Sequence, residues 1–81
     1  MYRSVEEVEE LLRSYLSRAM DVDNNSIDPN RSLAYLGVDS VLKLGLLAEC
    51  ETLSERRVTI EQFEQCGTVR MLALSIANRP Q

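Results

Sequence analysis

Leu36-Gly37-Val38-Asp39-Ser40-Val41, continued by Leu42-Lys43-Leu44-Gly45-Leu46-Leu47-Ala48-Glu49-Cys50-Glu51-Thr52-Leu53, is the stretch on which the reading of this chain turns. Gly37 permits a tight turn. Asp39 is a good N-cap, because its carboxylate can accept from the first free backbone N–H groups of a helix. From Ser40 to about Leu53 the apolar residues then recur at helical spacing. Val41, Leu44, Leu47 and Ala48 read as one stripe, widened by Leu42, Leu46, Cys50 and Leu53. Gly45 interrupts this helix at a cost of about 1 kcal/mol relative to Ala. It either admits the close approach of a partner or is incidental. The stretch therefore presents the Ser40 hydroxyl at a helix start, where partial positive charge favours an attached phosphate.

Outward from this segment the chain reads as helical throughout. Ser4 to about Met20 is a helix, with Val5, Val8, Leu11, Leu12, Tyr15, Leu16 and Ala19 on one stripe. Ser4 and Glu7 fit a capping box. Glu6, Glu7, Glu9 and Glu10 match the positive end of the helix dipole and need no other role than a solvated face. Asp21 to Asp39 is a long connection rich in turn residues, with Pro29 forbidding an ordinary helix interior. Ile27, Leu33, Tyr35 and Leu36 are candidate apolar anchors that pin this loop in place. Thr59 to Cys66 is a short third helix, with a Thr59/Gln62 capping box, Ile60 and Phe63 buried, and Gly67 as its end. Thr68 caps a fourth helix to about Ala77, with Val69, Leu72, Ala73 and Ile76 inward and Asn78, Arg79 and Pro80 as its stop. The expected fold is all-α, one domain over residues 1–81, a four-helix bundle with a long loop between helices 1 and 2 and a short helix 3.

Composition bounds what such a bundle does. The chain has 81 residues, 44% of them hydrophobic, which supports a small packed core rather than disorder. The net charge of −4 repels nucleic acid and suits partners with basic surfaces. The amino-terminal MYRSVEEVEE has no apolar core segment, and no run is long enough to cross a bilayer. A cytoplasmic monomer, free of membrane, is the expectation. Cys50 and Cys66 without any histidine make no zinc site. They read as reduced, buried apolar residues, with a mutual bridge as the minor alternative. The absence of histidine removes Ser–His and Cys–His dyads, and the three scattered glycines make no phosphate loop. Asp21-Val-Asp-Asn-Asn-Ser-Ile-Asp28 begins like a calcium loop but lacks its sixth-position glycine and distal glutamate. No metal ligands and no catalytic residues are assigned.

Gly37-Val38-Asp39-Ser40-Val41 resembles the signature of the acyl carrier protein family, Gly-x-Asp-Ser followed by an apolar residue. The resemblance extends beyond that motif. Ile27-Asp28-Pro29 with Leu33, Leu36 and Gly37 looks like the approach loop of polyketide-synthase carriers. Val58-Thr59-Ile60 with Phe63, then Gly67-Thr68-Val69-Arg70 and Leu72-Ala73, look like the last two helices of carrier domains. The resemblance implies a covalent 4'-phosphopantetheine, taken from coenzyme A by a phosphopantetheinyl transferase, on Ser40, with Gly37 and Asp39 framing the site. The arm would hold acyl intermediates as thioesters, and the flexible tether would raise their concentration at successive active sites. The carrier itself would not be an enzyme.

The implied partners are an acyltransferase or acyl-activating ligase, and a ketosynthase or other acyl-processing enzyme. By position in the family pattern, Asp39, Val41, Leu44, Gly45, Ala48, Glu51, Thr52 and Val58 would meet them, although Leu44 and Ala48 read equally well as core. Leu42, Lys43 and Gly45 stand where many fatty-acid carriers place acidic residues, which implies a more apolar contact and specialised, polyketide-type biosynthesis. Met1 and the closed helix pattern lean towards a free-standing protein. Two alternatives stay open. One is an aminoacyl or peptidyl carrier, although Val38-Asp39 departs from the usual Gly-Gly-x-Ser of that type. The other is an unmodified helical interaction domain that binds a partner helix in a groove.

Overall fold

Each main helix begins at a side-chain cap that the sequence supplies. In a computed structural model of the chain, which describes residues 4–55 and 57–77, helix α1 spans Val5–Met20. Its capping box is closed in both directions: Glu7 N–H donates to Ser4 Oγ at 3.1 Å, and Ser4 N–H donates to Glu7 Oε1 at 3.0 Å. Helix α3, Ser40–Ser54, starts at Asp39, and helix α4, Ile60–Gln65, starts at the reciprocal Thr59/Gln62 box. Helix α5, Val69–Ala77, starts with Met71 N–H donating to Thr68 Oγ1 at 3.1 Å. These caps satisfy backbone donors that helical geometry leaves free, which is why the predicted starts and the observed starts agree. Asn78, Arg79 and Pro80, the predicted stop, lie outside the described residues, as does Arg56.

The fold is an all-α bundle, and no strand occurs among the described residues. Helix α1 packs chiefly on α5 and α3. The core is Val8, Leu12 and Leu16 from α1, Leu46 and Cys50 from α3, Phe63 from α4, and Val69, Leu72, Ala73 and Ile76 from α5. Ala19, placed on the first helix's stripe by spacing alone, is exposed, whereas its neighbour Met20 packs against the core. Two acidic residues of α1 also do more than match a dipole. Glu9 takes Arg70 Nη1 of α5 at 3.2 Å, and Glu10 accepts from Asn24 Nδ2 at 2.8 Å.

The 21–39 connection is ordered and carries structure that the sequence reading left as loop. Asn24–Ser26 forms one 3₁₀ turn, and helix α2 is a single α turn over Leu33–Leu36. Ile27 and Leu33 are buried anchors as expected, and Leu36 is half-buried. Tyr35 is not an anchor: it stands 70% exposed beneath the Arg31 guanidinium, which lies 4.8 Å from its ring centre. Val38 takes its place in the core. Two backbone bonds tie the connection to the α4–α5 junction, Leu33 N–H to Gly67 O at 2.9 Å and Arg70 N–H to Pro29 O at 3.0 Å. Gly67 therefore acts through its carbonyl. Helix α4 ends in extended backbone at Cys66, not in a left-handed glycine.

Candidate functional site

The site is built where α2 hands the chain to α3. Gly37 ends α2 with φ +92°, a conformation that glycine adopts without the clash a Cβ would bring. Gly37 N–H donates to Ala34 O at 3.1 Å, and Val38 N–H donates to Leu33 O at 3.0 Å. This is the paired closure of a Schellman turn, with Val38 and Leu33 both buried beneath it. Val38 is thus a nail, and it fixes where Asp39 and Ser40 emerge.

Asp39 is in extended backbone, its Oδ1 accepting the Leu42 N–H at 2.9 Å while its carbonyl accepts the Lys43 N–H at 2.9 Å. Ser40 is the first residue of α3 and is exposed. Its side chain sits at the mouth of an open cleft of about 230 Å³ between α3 and α4. Lys43, Leu44 and Leu47 form one wall, and Ile60, Phe63 and Glu64 form the other. This hollow exceeds the roughly 150 Å³ cavity that accepts a benzene ring, so small apolar groups fit beside Ser40. A phosphodiester-linked arm fits this setting. The hydroxyl that would bear it is uncovered, the helix start favours its negative charge, and the cleft leaves room along α3.

The face of α3 is rotated from the one the spacing suggested. Leu46 and Cys50 are fully buried, with Leu42, Leu47 and Leu53 packed against the core. Val41 is 77% exposed, Leu44 62%, and Ala48 is exposed as well. Of the stripe Val41, Leu44, Leu47 and Ala48, only Leu47 packs against the core, and the rest is the outer face. The residues read as widening it hold the bundle together. A helix apolar on two sides does not tell from its own sequence which side is covered. The core reading of Leu44 and Ala48 is ruled out. Ile60, read as buried, is likewise 52% exposed at the cleft, whereas Phe63 is buried as expected.

Other predicted contact residues have partners inside the chain. Gly45 faces α1: a Cβ there would overlap the Tyr15 hydroxyl and approach Tyr15 Cζ to 3.2 Å. The close approach that the glycine permits is intramolecular. Glu51 is half-buried and accepts the Val58 N–H at 2.9 Å, with Arg57 Nε 3.9 Å away. It fixes the α3–α4 turn. Val58 is half-buried against the core, and Thr52 is exposed with its hydroxyl donating to Ala48 O at 3.0 Å. Of the predicted contact set, Asp39, Val41, Leu44, Ala48 and Thr52 stand open around Ser40 and down α3. Sequence reasoning missed the α4 wall of the cleft. Lys43 could have been found, since it lies one turn from Ser40 on α3. Glu64 and Phe63 reach the cleft only through tertiary packing.

Burial pushes the Cys50 thiol up to about 12, with the nearby Cys66, Glu49 and Glu51 adding in the same direction. Cys66 is half-buried, not buried as expected, and both cysteines are free thiols.

Comparison with known proteins meets this geometry. The profile of the phosphopantetheine attachment site family matches residues 10–76. The chain belongs to that family. It is a phosphopantetheine carrier, bound to 4'-phosphopantetheine covalently in its working form, and it is not itself an enzyme. Among its relatives, Nonribosomal peptide synthetase 2 of Cochliobolus heterostrophus is 35% identical over 69 residues, which is 85% of this chain and 1% of that protein. Nonribosomal peptide synthetase rstn8 of Penicillium ochrochloron is 32% identical over 73 residues, 90% of this chain and 4% of that protein. The carrier therefore spans only a few per cent of the length of these relatives. A free-standing peptidyl carrier protein from an uncharacterized secondary metabolic pathway of Acinetobacter baumannii shares the fold. Its crystal structure superposes with a TM-score of 0.83 over 93% of this chain and 94% of that one, at 20% identity. No described helix of this carrier is long and apolar enough to cross a membrane.

Proposed function

We propose that Ser40 is the residue that bears the arm, and that the carrier serves a nonribosomal-peptide-type assembly line, holding aminoacyl or peptidyl groups as thioesters. The single observation that supports the attachment point is an exposed serine at the first position of α3, capped by Asp39 and opening on the α3–α4 cleft. In the attachment step, Ser40 Oγ attacks the phosphorus of coenzyme A that bears the pantetheine. The Oγ–P bond forms, the bond to 3',5'-ADP breaks, and the Ser40 proton passes to a base of the transferase. This chain contributes the nucleophile, the turn that presents it, and the capped helix start that receives the new charge. Once attached, the group supplies a terminal thiol on a long flexible tether. Val41, Leu44 and Ala48 form the apolar face offered to partner enzymes, with the cleft beside it.

The two synthetases among the relatives support the peptidyl type of cargo. A second reading, a polyketide-type acyl carrier, keeps the support of Gly37-Val38-Asp39-Ser40, which departs from Gly-Gly-x-Ser. The test is intact-mass spectrometry after incubation with coenzyme A and a broad-specificity transferase. One phosphopantetheine is expected on the wild type and none on Ser40→Ala. Addition to Ser40→Ala would place the attachment elsewhere. Loading of the modified carrier by adenylating enzymes with amino acids, against loading by acyltransferases with malonyl-type donors, separates the two cargoes.

A further inference from the structure

Among the described residues, the cleft beside Ser40 has a single positive group on its walls, Lys43. Lys43 lies three residues beyond Ser40, so the two side chains are neighbours on one side of α3. Its Nζ stands 3.9 Å from Glu64 Oε1 across the cleft on α4, which is the outer limit of an ion pair, and both groups are open to water. Such a pair is weak and easily exchanged for a better one. The same two side chains border a second hollow of about 180 Å³ that runs under α2 past Ser32, Cys66 and Gly67. Among the described residues lining either hollow, Lys43 is the one cation.

Phosphodiester formation at Ser40 adds a full negative charge to a place that already holds the Asp39 and Glu64 carboxylates. Asp39 cannot move away, because its Oδ1 is committed to the Leu42 N–H. Lys43 can move, since its partner is distant and its stem is long and flexible. An ammonium–phosphate hydrogen bond is charge-assisted and short, and stronger than a loose contact at 3.9 Å.

We propose that Lys43 is the counter-ion of the Ser40 phosphodiester, and that it leaves Glu64 for the phosphate oxygens when the arm is attached. This inference rests on Ser40 as the attachment point. No covalent bond changes and the proton stays on Nζ. The ammonium swaps one anion for another, and the rim of the cleft loses its α3–α4 tie. Lys43 is a positioning residue: it holds the base of the arm against α3.

The test uses the full chain, unmodified and modified, as wild type, Lys43→Gln and Glu64→Gln. Neither side chain lies in the core and both reach water, so these substitutions leave the fold intact. Intact mass first establishes that each modified sample carries the arm. The ³¹P resonance of the arm and the ¹³C resonance of the Glu64 carboxylate are then read by NMR. The expected ³¹P line shifts in Lys43→Gln and holds its position in Glu64→Gln. In the wild type, the Glu64 carboxylate resonance moves on modification to the position it already has in unmodified Lys43→Gln. A ³¹P line indifferent to Lys43→Gln, or a Glu64 resonance unchanged by modification, overturns the exchange while leaving the attachment point standing. A wild type that takes up no arm overturns the attachment point, and the exchange with it.

Discussion

Replacing Gly45 by alanine gives opposite answers from propensity and from packing. In an isolated helix the change stabilises by about 1 kcal/mol, because glycine gives up more backbone freedom on folding. In the bundle, the new methyl group falls on the Tyr15 hydroxyl of α1 and presses on the ring, with Cζ at 3.2 Å and Cε2 at 3.8 Å. Tyr15 is half-buried and packed against the core, so its ring cannot swing out without giving up contact. Overpacking of this kind costs roughly 1–3 kcal/mol. Set against the propensity gain, the net expectation is a loss of about 1 kcal/mol, or a melting point lower by about 4–8 °C for a domain of this size. Thermal and urea unfolding followed by circular dichroism measure it. Tyr15→Phe is the control, since it removes the oxygen that a Cβ would overlap. Gly45→Ala should cost little or nothing in that background, so the two changes should couple by about 1 kcal/mol. A higher melting point for Gly45→Ala in the wild-type background refutes the reasoning, because it would mean that α3 and α1 are not held this close.

Three further expectations concern α3. Leu46→Ala removes a fully buried side chain and should cost about 2–5 kcal/mol, a large share of the stability of a domain this size. Leu44→Ala, two residues earlier on the open face, should stay within about 0.5 kcal/mol by the same urea titration, and comparable losses at both sites would refute the observed rotation of the helix. The Cys50 thiol is raised from 9.0 to about 12 by burial, so the folded state holds its proton where the unfolded chain releases it. Its contribution to stability is whole below about 9 and is lost as pH rises towards about 12, at roughly 1 kcal/mol per pH unit. Unfolding midpoints between these limits should fall less steeply for Cys50→Ala than for the wild type.

Much of this carrier is legible without coordinates, and the reason is local. Ser4, Asp39, Thr59 and Thr68 cap helices through hydrogen bonds to residues three positions on, so spacing alone placed all four starts. The Gly37 turn and the Asp39 cap that set Ser40 at a helix start follow from the same kind of neighbour chemistry, which is why this turn could be read where it stands. Tertiary packing decided the rest. Leu33–Leu36 folds as a helical turn because Val38 and Leu33 sink into the core and close it, an outcome that four residues of propensity cannot announce. Leu44 and Leu46 are chemically alike, and only the approach of α1 and α5 decides which one loses its water. The cleft wall brings Phe63 and Glu64 to Lys43 across twenty residues of chain, and no periodicity records so distant a meeting.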